Sequence, residues 1–386
     1  MSGELPIYLD YAATSPVDVR VAAAMSECLT RDGVFGNPSS LHPHGRLARE
    51  RVERARAQVA ALIHAEPQQL VWTSGATESN NLAILGTARA AAKRGRHLVS
   101  ARTEHKSVID PCKRLEHEGF QVTWLDCDRE GLIAPQLVRA ALRPDTVLVS
   151  IMQANNEIGV LQDIEAIGAI CRERAVPLHV DAAQSAGKVA VDVRRLQCDL
   201  LSFTAHKLYG PKGIGALYFA PSRRAALQPL MYGGGHERGL RSGTLAVHQI
   251  VGFGAACELA ASDWQRDAEH CEALRARLWR GLQQIEGVML NGHATQRVAG
   301  ILNVSFAGIE GESLLMGLTE LSVSTGSACI SESDEPSYVL RALGRDTELA
   351  QSSLRFSMGR YSSEQDIDVA VAAVTREVRR LRAVEP

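Results

Sequence analysis

No stretch of this 386-residue chain reaches the ~18 consecutive apolar residues that a membrane-crossing helix needs, so no membrane partner is expected. Its first residues, Met-Ser-Gly-Glu-Leu-Pro, lack the basic flank and apolar core of a secretion signal, and a cytoplasmic location is the expectation. Charge of one sign is also missing. Lys plus Arg number 42 against 44 Asp plus Glu, a net charge of −2, so no general electrostatic attraction draws the chain to nucleic acid or anionic lipid. The eight cysteines include no Cys-x-x-Cys pair, which argues against a zinc ribbon, a resident metal site and a disulfide framework. Most of them read as reduced, buried small hydrophobes. No Gly/Ser-rich or Pro-rich linker and no internal repeat appears, so any domains must share a core. With 45% hydrophobic and 22% charged residues the chain is not disordered, and its length suits about two or three domains.

What is present is alternation. Val52, Ala55, Val59 and Leu62 recur at helical spacing, and Leu70-Val-Trp-Thr73 follows as a strand ending in Ser-Gly. Further strands are predicted at residues 97–101, 121–125, 146–152, 178–181, 199–203 and 215–219, many of them separated by helical patterns. This rhythm predicts an α/β domain with a mostly parallel sheet, whose ligands sit beyond the carboxyl ends of the strands. A helical stretch over about 256–286 precedes a mixed region. That region has strands at 301–306 and near 354–358 and a helix near 311–319. A closing helix presents Ile367, Val371, Val374, Val378 and Leu381 on one face, with Ser362 and Gln365 at capping-box spacing. The expected division is a large domain over 15–255 and a smaller α+β domain built from 1–14 and 256–386.

Three strand ends carry polar residues suited to chemistry. Thr73-Ser-Gly-Ala-Thr-Glu-Ser-Asn-Asn81 lies between a strand and a helix, where free backbone N–H groups suit a phosphate, although the same residues also make an ordinary turn and helix cap. It is not a Walker motif, because no Gly-Lys-Ser/Thr follows. Leu178-His-Val-Asp-Ala-Ala-Gln184 ends an apolar strand on an acid; Asp181 can hold a positive charge or a protonated ring nitrogen, or simply cap the next helix. Lys207, in Thr204-Ala-His-Lys-Leu-Tyr-Gly210, leaves a buried strand beside a His. A lysine there is either solvated or an amine nucleophile of lowered pKa. A phosphate cup, a carboxylate and an amine together are what pyridoxal 5′-phosphate needs.

At this point the sequence resembles a known family. The blocks 73–81, Gln153-Ala-Asn-Asn-Glu157, His179-Val-Asp-Ala-Ala-Gln184, Ala205-His-Lys207, Gly233-Gly-Gly-His-Glu-Arg-Gly-Leu-Arg-Ser-Gly-Thr244 and Ser324-Thr-Gly-Ser-Ala-Cys329 look like the signature blocks of the cysteine desulfurases, in the class V aminotransferase group. They occur in the family's order. The resemblance implies the aspartate aminotransferase-like fold type I of pyridoxal-phosphate enzymes, with a seven-stranded, mostly parallel sheet. It implies Lys207 as the Schiff-base lysine, Asp181 on the pyridine nitrogen and His105 stacked on the ring. It places Asn156 and Gln184 near the phenolic oxygen, and Ala76, Thr77, Thr204 and His206 around the phosphate. Thr244 is expected to reach the phosphate site of a second subunit, making a homodimer part of the site. Arg355 is expected to clamp the substrate carboxylate, with Asn156 beside it.

The same resemblance makes Cys329 the nucleophile. L-cysteine is the implied substrate, and L-alanine and a Cys329 persulfide the products. The sulfur is then passed to an acceptor protein for iron–sulfur cluster assembly or another thiolation pathway, with Cys329 also a candidate transient ligand of a partner's cluster. The polar run Ile330-Ser-Glu-Ser-Asp-Glu-Pro-Ser337 predicts a mobile loop, and its length resembles the family's long-loop branch. The block 332–335 is unusually acidic, as a solvated run or a tuner of acceptor choice. Thr325 stands where housekeeping members usually carry Ser. The chain ends soon after the closing helix, which weighs against the usual scaffold docking. A specialised sulfur donor, for DNA phosphorothioation or nitrogenase maturation, and a selenocysteine lyase-like activity are the alternatives.

Overall fold

Strands buried on both faces read as continuous apolar runs, and the runs picked out above emerge as such strands, except that residues 121–125 form a partly exposed one. The computed structural model describes residues 5–220, 225–325 and 335–383. In chain order the strands are β1 (Ile7–Tyr8), β2 (Leu70–Thr73), β3 (His97–Ala101), β4 (Gln121–Leu125), β5 (Thr146–Met152), β6 (Leu178–Asp181), β7 (Leu200–Thr204), β8 (Gly215–Phe219), β9 (Val288–Asn291), β10 (Ile301–Phe306), β11 (Leu321–Ser322) and β12 (Ser353–Ser357). The helices are α1 (Val19–Ser26), α2 (Pro43–Leu62), α3 (Ala76–Ala90), α4 (Lys106–His117), α5 (Pro135–Ala141), α6 (Ile164–Glu173), α7 (Val193–Leu196), α8 (Val247–Leu282), α9 (Gly311–Gly317), α10 (Tyr338–Ala342), α11 (Thr347–Gln351) and α12 (Glu364–Arg382).

Seven strands form one sheet in the order β2-β8-β7-β6-β5-β3-β4, in which β8 is antiparallel to both neighbours and the other pairings are parallel. Successive strand residues point to opposite faces. Val71, Leu98, Leu148, Leu200 and Leu217 meet Leu82 and Ile84 of α3 and Val108 and Leu115 of α4. Their chain neighbours Trp72, Val99, Val149, Leu201 and Ala216 join a second core with Val52 and Val59 of α2 and Ile250 and Phe253 of α8. The smaller core surrounds an antiparallel sheet, β12-β10-β9. It is filled by Leu302, Val304, Leu354 and Phe356, by Ile367, Val374 and Val378 of α12, and by Leu9 near the N-terminus.

Three expectations are corrected. The strand expected from Asp199 begins at Leu200; the backbone of Asp199 still bonds to the Leu178 carbonyl and the Ala220 N–H, and its carboxylate accepts the Leu178 N–H (3.0 Å). The closing helix is capped one residue later than expected. The Ser363 N–H donates to Asp366 Oδ2 and the Asp366 N–H to Ser363 Oγ, whereas the Ser362 hydroxyl accepts the Gly359 N–H. The long helix starts at Val247 rather than near 256. Gly252 and Gly254 blur its apolar period because it crosses α1 and α2 closely there. A Cβ on Gly252 would lie 2.6 Å from Met25 Cγ, and one on Gly254 would lie 2.8 Å from Ala55 Cα. The helix therefore enters both cores, through Ile250 and Phe253 at one end and Leu274, Leu278 and Leu282 at the other.

Phe253 stacks against Phe203 and Trp72 at centroid distances of 5.4 and 6.0 Å and is wholly buried. Truncation in Phe253→Ala is expected to cost about 3–5 kcal/mol in urea unfolding, and a loss under about 1 kcal/mol would show that α8 does not anchor this core.

Candidate functional site

Parallel strands end on one edge, and here that edge carries the turns leaving β2, β3, β5, β6 and β7; the two antiparallel pairings through β8 give β2 the same direction as β7. A cavity of about 570 Å³ opens there. Ala76 and Thr77, in the first turn of α3, line it with N–H groups that have no carbonyl a turn earlier in the helix. The turn before them is tight, since a Cβ on Gly215 would come within 2.7 Å of Gly75 Cα. Thr204 and His206 line the same side, with Thr204 Oγ1 donating to the Ile214 carbonyl and His206 Nδ1 3.1 Å from Thr14 Oγ1.

Asp181, the last residue of β6, is buried on the cavity wall. Its Oδ1 accepts the Ala183 N–H (2.9 Å) and its Oδ2 accepts Asn80 Nδ2 (2.7 Å). Asn80 also donates to Ser107 Oγ (2.8 Å), and Ser107 Oγ lies 2.8 Å from His105 Nδ1. Because His105 Nδ1 also accepts the Ser107 N–H, the proton of the neutral ring sits on Nε2. Burial lowers the His105 pKa, and the Lys207 charge adds to this while Asp181 opposes it. His206 is driven further, to about 4, by burial and then by the charges of Lys207, Lys212 and Lys188. Both imidazoles are neutral at pH 7.

Lys207 lines the cavity at the end of the short 3₁₀ turn that follows β7. Gln184 stands nearby with Nε2 donating to the Ala12 carbonyl (2.7 Å) and Oε1 accepting Lys188 Nζ (2.8 Å). Arg355, on β12, reaches the cavity from the smaller core, donating to the Asn156 carbonyl (2.8 Å) and to Asp10 Oδ1 (2.6 Å). Asn156 Oδ1 and Arg355 Nε, both on residues of this wall, are buried with no hydrogen-bond partner among the described residues.

These residues fit pyridoxal 5′-phosphate. The helix N-terminus and hydroxyls suit the phosphate, the twice-bonded carboxylate suits a protonated ring nitrogen, the amine suits the aldehyde, and the two orphaned polar atoms await a polar ligand. Among the described residues no cluster of His, Cys, Asp and Glu could hold a metal ion.

Ten of the twelve site residues expected from the sequence thus share one cavity: Ala76, Thr77, His105, Asn156, Asp181, Gln184, Thr204, His206, Lys207 and Arg355. Thr244 is exposed and does not line the cavity of its own chain. Cys329 and residues 330–334 of the loop expected to be mobile lie outside the described residues, whereas Ser337, the last residue of that expected loop, is buried and hydrogen-bonded. Sequence reasoning missed Asn80, Ser107, Lys188 and Asp10. Asn80 lies one helical turn after Ala76 but among Thr77, Glu78, Ser79 and Asn81, so nothing singled it out; Asp10 and Lys188 left no signal either, because their partners are distant in sequence or on the far side of a turn.

Two outcomes follow from this wiring. Asn80→Ala removes a donor from a buried carboxylate and from Ser107, and is expected to cost about 1–3 kcal/mol in unfolding and to weaken cofactor binding in a spectrophotometric titration. An unchanged affinity would mean that Asp181 needs no such support. Lys188 is half-buried, and the loss of water around its amine brings its pKa down to about 7, with the Lys207 charge contributing. The unfolded chain, with an amine pKa near ~10.4, binds more protons than the folded one between pH 7 and 10, so this lysine makes stability rise with pH across that window. The unfolding free energy of the cofactor-free protein minus that of Lys188→Met should therefore climb from pH 7 to 10, and a flat difference would show an ordinary amine.

Comparison with known proteins agrees with this geometry. The sequence model of the family "Aminotransferase class-V" matches residues 7–369. A relative named cysteine desulfurase IscS from Shewanella piezotolerans is 56% identical over 384 residues, 99% of this chain and 95% of its own. Among solved structures, a NifS-like protein superposes with a TM-score of 0.90 at 34% identity, covering 98% of this chain and 100% of that one. SspA in complex with cysteine superposes with a TM-score of 0.82 at 37% identity, covering 92% and 100%. With a family match over almost the whole length and the strand-edge cavity that its cofactor requires, this chain belongs to the class V aminotransferases, fold type I enzymes that depend on pyridoxal 5′-phosphate.

Proposed function

We propose that the chain is a cysteine desulfurase that takes sulfur from L-cysteine, releases L-alanine and carries the sulfur as a persulfide on Cys329. The observation that carries this reading is the convergence of an amine (Lys207), a carboxylate (Asp181), an imidazole (His105) and a guanidinium (Arg355) on one cavity. The names of its relatives and the cysteine bound to SspA support the same substrate.

When bound, pyridoxal phosphate supplies an electron sink for the bonds at the substrate's α-carbon. The chain's own residues do the rest. Arg355, already oriented by Asp10 and the Asn156 carbonyl, binds the substrate carboxylate through its planar fork. Asp181 holds a proton on the ring nitrogen, and Asn80 and the Ala183 N–H keep that carboxylate in place. Lys207 moves a proton at the substrate Cα, and His105 carries one on Nε2 within the same cavity. The Cys329 thiolate attacks the substrate sulfur. A sulfur–sulfur bond forms and the carbon–sulfur bond breaks, its electron pair staying with Cβ, which takes up a proton to become the methyl of alanine. Cysteine plus enzyme thiol thus gives alanine plus enzyme persulfide, with no external oxidant.

Four of the other thiols suit this role poorly. Burial pushes Cys127 and Cys271 up to about 11 and holds Cys112 and Cys257 well above the usual thiol range, so they stay protonated. Sulfur passes from Cys329 to an acceptor protein for iron–sulfur cluster assembly. The exposed Thr244 completes the phosphate site of a second subunit in a homodimer, and the reaction takes place in the cytoplasm.

Cys329→Ala is expected to abolish the protein persulfide and to slow alanine release about a hundredfold, with cofactor absorbance unchanged. Sulfide or persulfide produced by this variant at the wild-type rate would overturn the desulfurase reading.

A further inference from the structure

Two turns beside the site also contact the start of α10, one through a carboxylate and one through a backbone carbonyl. Asn156 and His105 line the cavity, while their chain neighbours Glu157 and Glu104 are buried behind it. Glu157 Oε2 accepts the Ser337 hydroxyl (2.5 Å), and the Glu104 carbonyl accepts the Tyr338 hydroxyl (2.7 Å). Asn155 joins the two turns, donating from Nδ2 to the Thr103 carbonyl and accepting the Glu157 N–H at Oδ1. The start of α10 is thereby tied to the turn that carries the ring-facing histidine and to the turn that carries the substrate-facing asparagine. In sequence, Ser337 lies eight positions after Cys329.

The Ser337–Glu157 contact exceeds what capping α10 requires. Ser337 Oγ already caps the helix by accepting the Leu340 N–H (3.2 Å), and a cap needs no buried acid behind it. A buried carboxyl is costly unless something compensates it, and burial raises Glu157 to about 7, with Ser337 and the Arg355 charge opposing the shift. Apolar packing alone already seats α10, through Val339, Leu340 and Leu343 against Ile158 and Val160. The acid therefore adds direction rather than adhesion.

We infer that Glu157 and Ser337 are a positioning pair: their hydrogen bond fixes Ser337, eight positions after Cys329 in sequence, to the turn bearing Asn156, so that transfer of sulfur to the Cys329 thiol depends on the pair while binding of cofactor and substrate does not. The inference rests on the desulfurase reading above. Attack at sulfur tolerates little misplacement, and a shift of about 1 Å at a remote support can lower a rate by about two orders of magnitude.

The test uses the full chain loaded with pyridoxal phosphate and compares Ser337→Ala, Glu157→Ala and Glu157→Gln. Spectral titration with L-cysteine should give affinities within about twofold of wild type for all three. Persulfide on Cys329, followed by mass spectrometry in a single turnover, should appear about tenfold more slowly in both alanine variants. Glu157→Gln, whose amide oxygen still accepts the Ser337 hydroxyl, should recover to within about threefold of wild type. The double alanine variant should be no slower than Glu157→Ala alone. Wild-type persulfide formation in Ser337→Ala would overturn the inference, as would a parallel loss of substrate affinity and persulfide rate, which marks a merely structural contact. If Glu157→Ala does not fold, Ser337→Ala and Glu157→Gln decide the matter alone. A wild-type protein that forms neither alanine nor persulfide from L-cysteine would overturn the functional reading itself, and the pair would fall with it.

Discussion

Four parallel pairings, β7–β6, β6–β5, β5–β3 and β3–β4, send the carboxyl ends of these strands to one edge, and β2 joins them through two antiparallel steps. Apart from the edge strand β4, each of these strands is buried on both faces, so the first place where the chain can expose a functional group is the turn at that edge. Asp181 ends one strand, Lys207 follows another, and Ala76, His105 and Asn156 follow three more. The chemistry of the protein depends on this convergence, because residues far apart in sequence become neighbours without any one of them leaving its local turn.

Burial then decides protonation. Both imidazoles lose their protons at neutral pH chiefly because the protein excludes water; lysine charges add to this at His206, whereas at His105 Asp181 opposes the shift and Lys207 adds to it. Asp181 sits in the same region with two donors on its oxygens. The result is a site with a fixed carboxylate at one wall and neutral, proton-carrying rings at others, which suits proton transfer better than a uniformly charged cleft. Asn80 has a double role there, since a single amide supports both the carboxylate and, through Ser107, the imidazole.

The smaller core contributes more than a cover. Arg355 of β12 is held by Asp10, from the same smaller core, and by the Asn156 carbonyl at the edge of the large sheet, so the binding place for a substrate carboxylate is shared between the two cores. Helix α8 runs unbroken through both, which makes their relative position a property of one rigid element. Close crossing at Gly252 and Gly254 sets that element against α1 and α2.

The sequence by itself determined the seven strands of the large sheet, the α/β rhythm, the family and ten of the residues on the cavity wall, but not the short strands β1, β9 and β11. Each feature it determined is encoded locally, in an apolar run of strand length or in a short block whose spacing survives as a single turn. It misplaced the cap of α12 by one residue, since Ser362 and Ser363 offer the same hydroxyl and only backbone direction separates them. Tertiary structure alone decided that Asn80 supports Asp181, that Lys188 holds the Gln184 amide, that Asp10 orients Arg355 and that Glu157 meets Ser337. The physical reason is the range of the interaction. A hydrogen bond specifies its partner by distance and angle in space, and three of these four pairs join residues 101 to 345 positions apart, a separation that no local pattern records.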